Sequence, residues 1–225
     1  MSQDYDGESR WRHEARRLLS HFVTPKSIYM PVEAPWLLPA MVNYLVSRDL
    51  DYHLAHGQYG WYPAWYNGPR IIVPCIRTDS VGLFWQGRRI DSMPFAEDCK
   101  RWDSPHGPRG DALCYLRNPD VSKEGNFVIV EGPMDALAAA GCGYAAIALL
   151  GVSPPGAVLA HAATIIQQRR AICIADRDSV PKWIKIQNQL GLMGIHTKLV
   201  IPTEKDLAKL AREQRKTFLE THFGG

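Results

Sequence analysis

The sequence predicts an α/β protein in which a parallel sheet with flanking helices follows a smaller mixed α/β region. After Gly125, short apolar runs alternate four times with helix-like segments, a pattern typical of parallel sheets. Before about residue 119 the chain is rich in Pro, Gly and aromatic residues and contains only short strand-like runs. The 225 residues suffice for one large or two small domains. We divide them into a basic N-terminal extension (1–30), the mixed region (31–122), the alternating region (123–205) and a C-terminal helix (206–225).

The N-terminal extension contains a predicted basic amphipathic helix over residues 10–22. Apolar side chains recur there at helical spacing, and four arginines occupy the remaining faces. Two interpretations stay open: a docked helix whose arginines face solvent, or a helix face that contacts phosphates.

The mixed region contains two strand-like runs, 70–76 and 81–85, separated by a probable hairpin turn at 78–80. An aromatic string lies between residues 59 and 66. Aromatic residues at this density are more often part of a core, although they can also stack on bases.

The alternating region supplies the predicted parallel sheet. Its strands are predicted at 127–130, 145–150, 171–175 and 197–201, and its helices at 134–140, 157–168, 181–190 and 206–221. Strands joined through helices imply right-handed crossovers and a sheet covered on both faces.

Composition excludes some classes of protein. The apolar runs are far shorter than the roughly 20 residues of a membrane span, and the charged N-terminus lacks the apolar core of a signal peptide, so we expect a cytoplasmic protein without membrane partners. The five cysteines are scattered singly, so we expect reduced, structural thiols and no zinc site. A net charge of +3 does not by itself establish a nucleic-acid partner.

Acidic residues follow the predicted strands, at the edge where parallel sheets bind ligands. These are Glu131, Asp135, Asp176, Asp178 and, after the last strand, Asp206. Carboxylates gathered at one place repel one another, so protons or a cation must neutralise them. Ligation by oxygen alone suits Mg²⁺ or Mn²⁺, and metal-assisted phosphodiester chemistry follows as the leading reaction class. If the strand end is extended, Asp176 and Asp178 point to the same face.

Two segments carry a resemblance to a known family. Val-Ile-Val-Glu-Gly-Pro-Met-Asp-Ala-Leu (128–137) and Ile-Ala-Asp-Arg-Asp (174–178) resemble the TOPRIM domain shared by DnaG-type and phage primases, topoisomerases and some nucleases. In the first half, segments 44–50, 70–74, 81–88 and 115–119 resemble successive parts of the primase basic subdomain, in family order. Roughly residues 40–220 therefore resemble the RNA-polymerase core of a DnaG-type primase.

The resemblance implies a function and roles for individual residues. The implied activity is synthesis of short RNA primers on single-stranded DNA from NTPs, with Mg²⁺ or Mn²⁺ and a replicative helicase in trans. Glu131 would be the catalytic carboxylate, and Asp135, Asp176, Asp178 and Asp206 would hold the metals with it. The implied nucleotide or template contacts are Arg70, Arg88, Tyr115, Asn118, Lys123 and Lys205.

The sequence departs from the family pattern at several places. Arg177 replaces a small residue between the two aspartates, Val180-Pro181 replaces the Ala-Gly that usually starts the next helix, and Cys114 replaces a lysine. No Cys/His zinc module precedes the core. We therefore expect a divergent enzyme, encoded by a phage or plasmid and acting in the cytoplasm of a bacterial or phage-infected cell.

Two other functions stay open. A TOPRIM nuclease would use the same acidic residues to cut phosphodiesters. A non-catalytic, primase-derived module would bind DNA and organise a replication complex, and the altered Asp-Arg-Asp loop favours it.

Overall fold

The computed structural model describes residues 29–78, 84–105, 109–117, 125–204 and 206–224. The helix predicted at 10–22 and most of the turn predicted at 78–80 lie outside these ranges. Within them, no helix combines the length and the apolar character that crossing a membrane requires.

An antiparallel sheet of four strands forms the smaller region. Helix α1 (Leu38–Val46) and a π-helical turn at His53–Gln58 precede it. Its strands lie side by side in chain order: β1 (Tyr62–Trp65), β2 (Pro69–Cys75), β3 (Phe84–Arg89) and β4 (Trp102–Asp103). Strands β2 and β3 pair antiparallel. This pairing confirms the predicted hairpin, although its second strand continues to Arg89.

The second sheet contains the four predicted parallel strands, and each lies within two residues of its predicted bounds. They are β6 (Asn126–Val130), β7 (Ala145–Ala148), β8 (Arg170–Ile174) and β9 (Thr197–Val200). The sequence did not predict β5 (Cys114–Leu116), which pairs antiparallel with β7 and gives the order β5-β7-β6-β8-β9. A three-residue strand is too short to show a period, so its membership depends on burial against the larger sheet.

Three helices connect the parallel strands: α2 (Pro133–Ala140), α3 (Gly156–Ile166) and α4 (Val180–Leu192). Pro133 and Pro181 each stand in a first turn, where a missing amide costs no helical hydrogen bond. The helix predicted at 206–221 is wrong at its start, because Leu207–Lys209 forms a 3-10 turn and helix α5 spans Arg212–Phe223. Leu210 and Ala211 between them are extended.

The two regions share one apolar core. On one face of the parallel sheet, Val128 and Val130 pack in a cluster that also contains Ile71 and Val73 of the smaller region. On the other face, Phe127 and its neighbours pack with residues of α3 and α4. The five cysteines all fall in described ranges and are buried outside any disulfide, as predicted.

Candidate active site

Four carboxylates line a cleft at the carboxyl edge of the parallel sheet. Glu131 directly follows β6, and Asp176 follows β8, the hydrogen-bonded neighbour of β6. Asp135 stands in the first turn of α2, and Asp206 follows β9. All four line one cavity of about 240 Å³. We call them the acidic set.

Asp178 lies beside this cleft and does not line it. The prediction assumed an extended strand end, but β8 ends at Ile174 and Arg177–Ser179 forms a 3-10 turn. The two-residue alternation of a strand therefore does not apply at Asp178, whose side chain is exposed. Its charge still reaches Glu131 and raises the pKa of that carboxyl group.

The acidic set is electrostatically strained. Burial, followed by the charge of Asp206, raises the pKa of Asp135 to about 7, although a hydrogen bond from the Ala208 amide opposes the shift. Burial, followed by Asp176 and Asp178, raises the pKa of Glu131, and Lys182 opposes that shift. Such a group binds protons or a cation more readily than isolated carboxylates do.

The acidic set fits an open Mg²⁺ or Mn²⁺ site better than a closed one. Among the residues in the described ranges, no three His, Cys, Asp or Glu side chains already surround a common point. Magnesium, however, typically takes only one or two carboxylates and completes its shell with water and phosphate oxygens. The Oδ1 atom of Asp206 is buried without a hydrogen-bond partner in the described part of the chain, which leaves a ligand atom available.

Basic residues from the smaller region line the same cleft. They are Arg48 after α1, Arg88 in β3 and Arg101, which directly precedes Trp102 of β4. We call these three arginines the basic set. Trp102 also lines the cleft, and so does Lys209, which comes from the turn after Asp206.

Arg88 is held in place by burial and by two hydrogen-bonded contacts. Its side chain is only 1% exposed, its Nε donates to the Tyr44 hydroxyl (2.6 Å), and its Nη2 pairs with Asp91 (2.6 Å). Its Nη1 is buried and has no partner within the described ranges. A fixed arginine with an unused donor suits an anionic oxygen of a ligand.

The structure places two predicted contacts away from the cleft. Arg70 is fully buried in β2, and its guanidinium donates to the carbonyls of Tyr66, Gly87 and Lys100. Tyr115 stacks on Phe127, on the opposite face of the parallel sheet. The three other predicted contacts, Asn118, Lys123 and Lys205, lie outside the described residues.

Arg177, the residue that departs from the family pattern, reaches the loop after β9. Its Nη2 donates to the Thr203 carbonyl at 3.0 Å. The substituted side chain therefore connects the turn after Asp176 to the loop that leads to Asp206.

Sequence reasoning missed Arg48, Arg101, Trp102 and Lys209. Arg48 lies in the family-like segment 44–50, which was a usable signal. The other three stand in a loop, a two-residue strand and a 3-10 turn, where no periodic pattern marks the side that faces a ligand.

Solved primase structures share this architecture. A DnaG primase catalytic domain bound to single-stranded DNA matches with a TM-score of 0.59 and 18% identity, over 96% of this chain and 80% of that one. The Aquifex aeolicus primase, with its zinc-binding and RNA polymerase domains, gives a TM-score of 0.63 and 15% identity, over 80% of this chain and 55% of that one. The Escherichia coli primase catalytic core gives a TM-score of 0.59 and 18% identity, over 82% of this chain and 74% of that one.

The match to the solved structures concerns the fold. No family model matches the sequence, and no curated protein matches it. The chain spans about half of the A. aeolicus structure. It has the fold of DnaG-type primase catalytic cores, which confirms the resemblance inferred from its motifs.

Proposed function

We propose that this chain is the RNA-polymerase core of a DnaG-type primase, which joins ribonucleotides on a single-stranded DNA template. One observation carries the proposal: the acidic set and the basic set meet in one cleft, on a fold shared with primase catalytic cores. The carboxylates suit divalent cations, and the arginines suit the phosphates of a nucleoside triphosphate.

The residues divide the work of nucleotidyl transfer. Glu131, Asp135, Asp176 and Asp206 would hold one or two Mg²⁺ or Mn²⁺ ions, and Asp178 would add negative charge beside them. When bound, the ions would polarise the α-phosphate and favour ionisation of the attacking hydroxyl. A nucleotide 3′-hydroxyl loses its proton to water and its oxygen bonds to the α-phosphorus of the incoming NTP. The bond from the α-phosphorus to the oxygen that bridges it to the β-phosphate breaks, and pyrophosphate leaves with that oxygen.

The basic set would bind the triphosphate and the pyrophosphate that leaves. Arg88 offers from a fixed position an Nη1 that has no partner among the described residues, and Arg48 and Arg101 add positive charge in the same cleft. Trp102 provides an aromatic surface on which a base can stack. The DNA-bound primase structure supports a DNA template for this chain, and a replicative helicase in trans remains part of the proposal.

A primer-synthesis assay tests the function. The purified protein, given Mg²⁺ or Mn²⁺, single-stranded DNA and labelled ribonucleotides, should make short oligomers. Glu131→Gln should abolish synthesis, since it removes the charge of one of the carboxylates that line the cleft. Glu97→Gln, at an exposed position outside the cleft lining, is the matched control and should retain activity. If the wild type makes no oligomers with either metal, or with a helicase added, the proposal fails.

The open spacing of the carboxylates favours one alternative, a non-catalytic DNA-binding module. That alternative predicts tight DNA binding without turnover, unchanged by Asp176→Asn and Asp178→Asn.

The same assay without nucleotides would reveal a nuclease as metal-dependent shortening of the labelled strand.

A further inference from the structure

Arg215 lies on helix α5 at the junction of the two regions, with 2% of its surface exposed. Its guanidinium donates to four backbone carbonyls. Nη1 bonds to Asp49 (2.7 Å), Nη2 to Arg48 (2.7 Å) and Ala208 (3.2 Å), and Nε to Leu207 (3.3 Å). One buried side chain thus connects two segments that are about 160 residues apart in sequence.

Each of these segments carries part of the cleft. The Arg48–Asp49 turn follows α1, and the Arg48 side chain belongs to the basic set. The Leu207–Ala208 turn follows Asp206 directly, and its Ala208 amide donates to Oδ1 of Asp135 at 2.9 Å. Arg215 therefore contacts the backbone that presents Arg48 and also the turn that follows Asp206 and donates an amide to the Asp135 carboxylate.

Other features show that this junction is specific. A buried guanidinium is costly unless its donors are satisfied, and a planar fork with five donors can bind several carbonyls at once. Asp49 adopts a left-handed conformation (φ 53°), which is uncommon for residues other than glycine although aspartate tolerates it better than most. The Asp49 carboxylate accepts the Arg212 amide at 2.5 Å, which ties the same turn to the start of α5.

We propose that Arg215 is a positioning residue that fixes the turn carrying Arg48 relative to the turn following Asp206, and so sets the spacing between the basic and acidic sets. The inference rests on the proposed function, because it assumes that the cleft binds a divalent cation together with nucleotide phosphates. A cavity of about 320 Å³ borders Arg215. A shorter side chain at position 215 could move into this cavity, and the four carbonyls would then no longer be held by one group.

Arg215→Lys is the first test, and Arg212→Lys is its matched control. Lysine retains the charge but cannot span four carbonyls. Arg212 lies on the same helix, and its guanidinium contacts the Gly141 carbonyl (3.2 Å) outside both turns. We expect Arg215→Lys to weaken Mn²⁺ binding about 10-fold, the usual size of an effect from a residue behind the ligands. It should also raise amide exchange in segments 47–50 and 206–210. Arg212→Lys should leave both quantities near wild type.

Native-state hydrogen exchange of the wild type tests the same idea and needs no folded variant. If Arg215 joins the two turns, segments 47–50 and 206–210 should open together, with one free energy and one denaturant dependence. Separate opening energies would overturn the inference, and so would a folded Arg215→Lys variant with wild-type Mn²⁺ affinity and exchange.

These measurements separate the inference from the proposed function. If the wild type makes no primers while Arg215→Lys still weakens Mn²⁺ binding and loosens both turns, the positioning role stands and the primase proposal fails. If the wild type makes primers and Arg215→Lys matches it in Mn²⁺ affinity and exchange, the positioning role fails and the primase proposal stands.

Discussion

The acidic and basic sets of the cleft are built in different ways. The parallel sheet delivers the carboxylates, because neighbouring strands end at the same edge and Glu131 and Asp176 follow two paired strands. The arginines come from a turn, a strand and a loop of the smaller region, and buried contacts such as the one between Arg88 and Tyr44 orient them. Backbone topology therefore fixes the position of the acidic set, whereas side-chain packing fixes that of the basic set.

The largest expected difference is between two acidic residues that are close in sequence, Asp176 and Asp178. Asp176 lines the cleft and Asp178 does not, so the two substitutions should differ. Asp176→Asn should reduce primer synthesis about 100-fold or more, since metal-bound charge stabilisation is worth several kcal/mol. Asp178→Asn should cost less than about 10-fold, because an exposed charge typically contributes only roughly 0.2–1 kcal/mol. Equal losses in a side-by-side primer assay would show that the 3-10 turn rearranges on binding.

A second comparison tests the basic set with two adjacent arginines. Arg88→Lys removes the planar fork and the Nη1 donor, which has no partner within the described ranges. The KM for nucleotide should therefore rise roughly 10-fold, the value of one hydrogen bond to a charged group. Arg89→Lys affects a side chain that stacks over Phe95 outside the cleft lining, and its KM should stay near wild type. Steady-state kinetics on both variants would contradict our assignment if Arg89→Lys had the larger effect.

Burial and mutual repulsion of the carboxylates in the acidic set predict that removing one charge increases the free energy of unfolding. The pKa of Asp135 is raised from its ordinary 3.8 to about 7. Between these values the unfolded chain loses its proton first, so this group destabilises the metal-free fold progressively as the pH rises and most strongly above pH 7. Asp135→Asn should therefore raise the free energy of unfolding at pH 8 by up to roughly 4 kcal/mol, since each pKa unit is worth about 1.4 kcal/mol, and by almost nothing at pH 4. Mg²⁺ should stabilise the wild type at pH 8 and leave the variant largely unaffected.

Thermal unfolding in EDTA at both pH values checks this prediction. If Asp135→Asn raised the free energy of unfolding by the same amount at pH 4 and pH 8, the added stability would come from packing and not from the lost charge. Asparagine retains an oxygen that can accept the Ala208 amide, so the comparison isolates the ionisation.

The smallest expected effect concerns Lys209, an exposed residue that lines the cleft beside the acidic set. Lys209→Gln should weaken nucleotide or DNA binding by only about 2- to 3-fold, because exposed charges contribute roughly 0.2–1 kcal/mol. The difference should shrink at high salt, where exposed charges are screened. A binding titration at two ionic strengths measures it, and an effect independent of salt would place Lys209 in direct, buried contact with the ligand.

The contrast between the two sets also explains what the sequence could predict. Short apolar runs ending in Glu131 and Asp176 revealed both the strands and the edge where ligands bind. The direction of Asp178 was not predictable, since a local 3-10 turn replaced the extended strand end. The start of α5 was missed because the backbone is extended at Leu210 and Ala211, which separates the 3-10 turn from the helix.

The hydrogen bonds of the buried side chains explain why one of two predicted phosphate contacts, Arg88, faces the cleft and the other, Arg70, does not. Arg70 and Arg88 both stand in strands of the antiparallel sheet and look equivalent in the sequence. Arg70 donates to three carbonyls around the sheet and pairs with Asp103, whereas Arg88 keeps one nitrogen without a partner in the described part of the chain. Only the packed structure distinguishes them.

Strand β5 limits how the chain can be divided. It precedes the parallel strands in sequence, yet it covers the outer edge of β7. A fragment starting at Gly125 would expose that edge and the apolar face that Ile71 and Val73 now cover. Uncovered strand edges recruit strands from other molecules, so the isolated fragment should aggregate, and the two regions are best treated as one inseparable unit for expression and for evolutionary exchange.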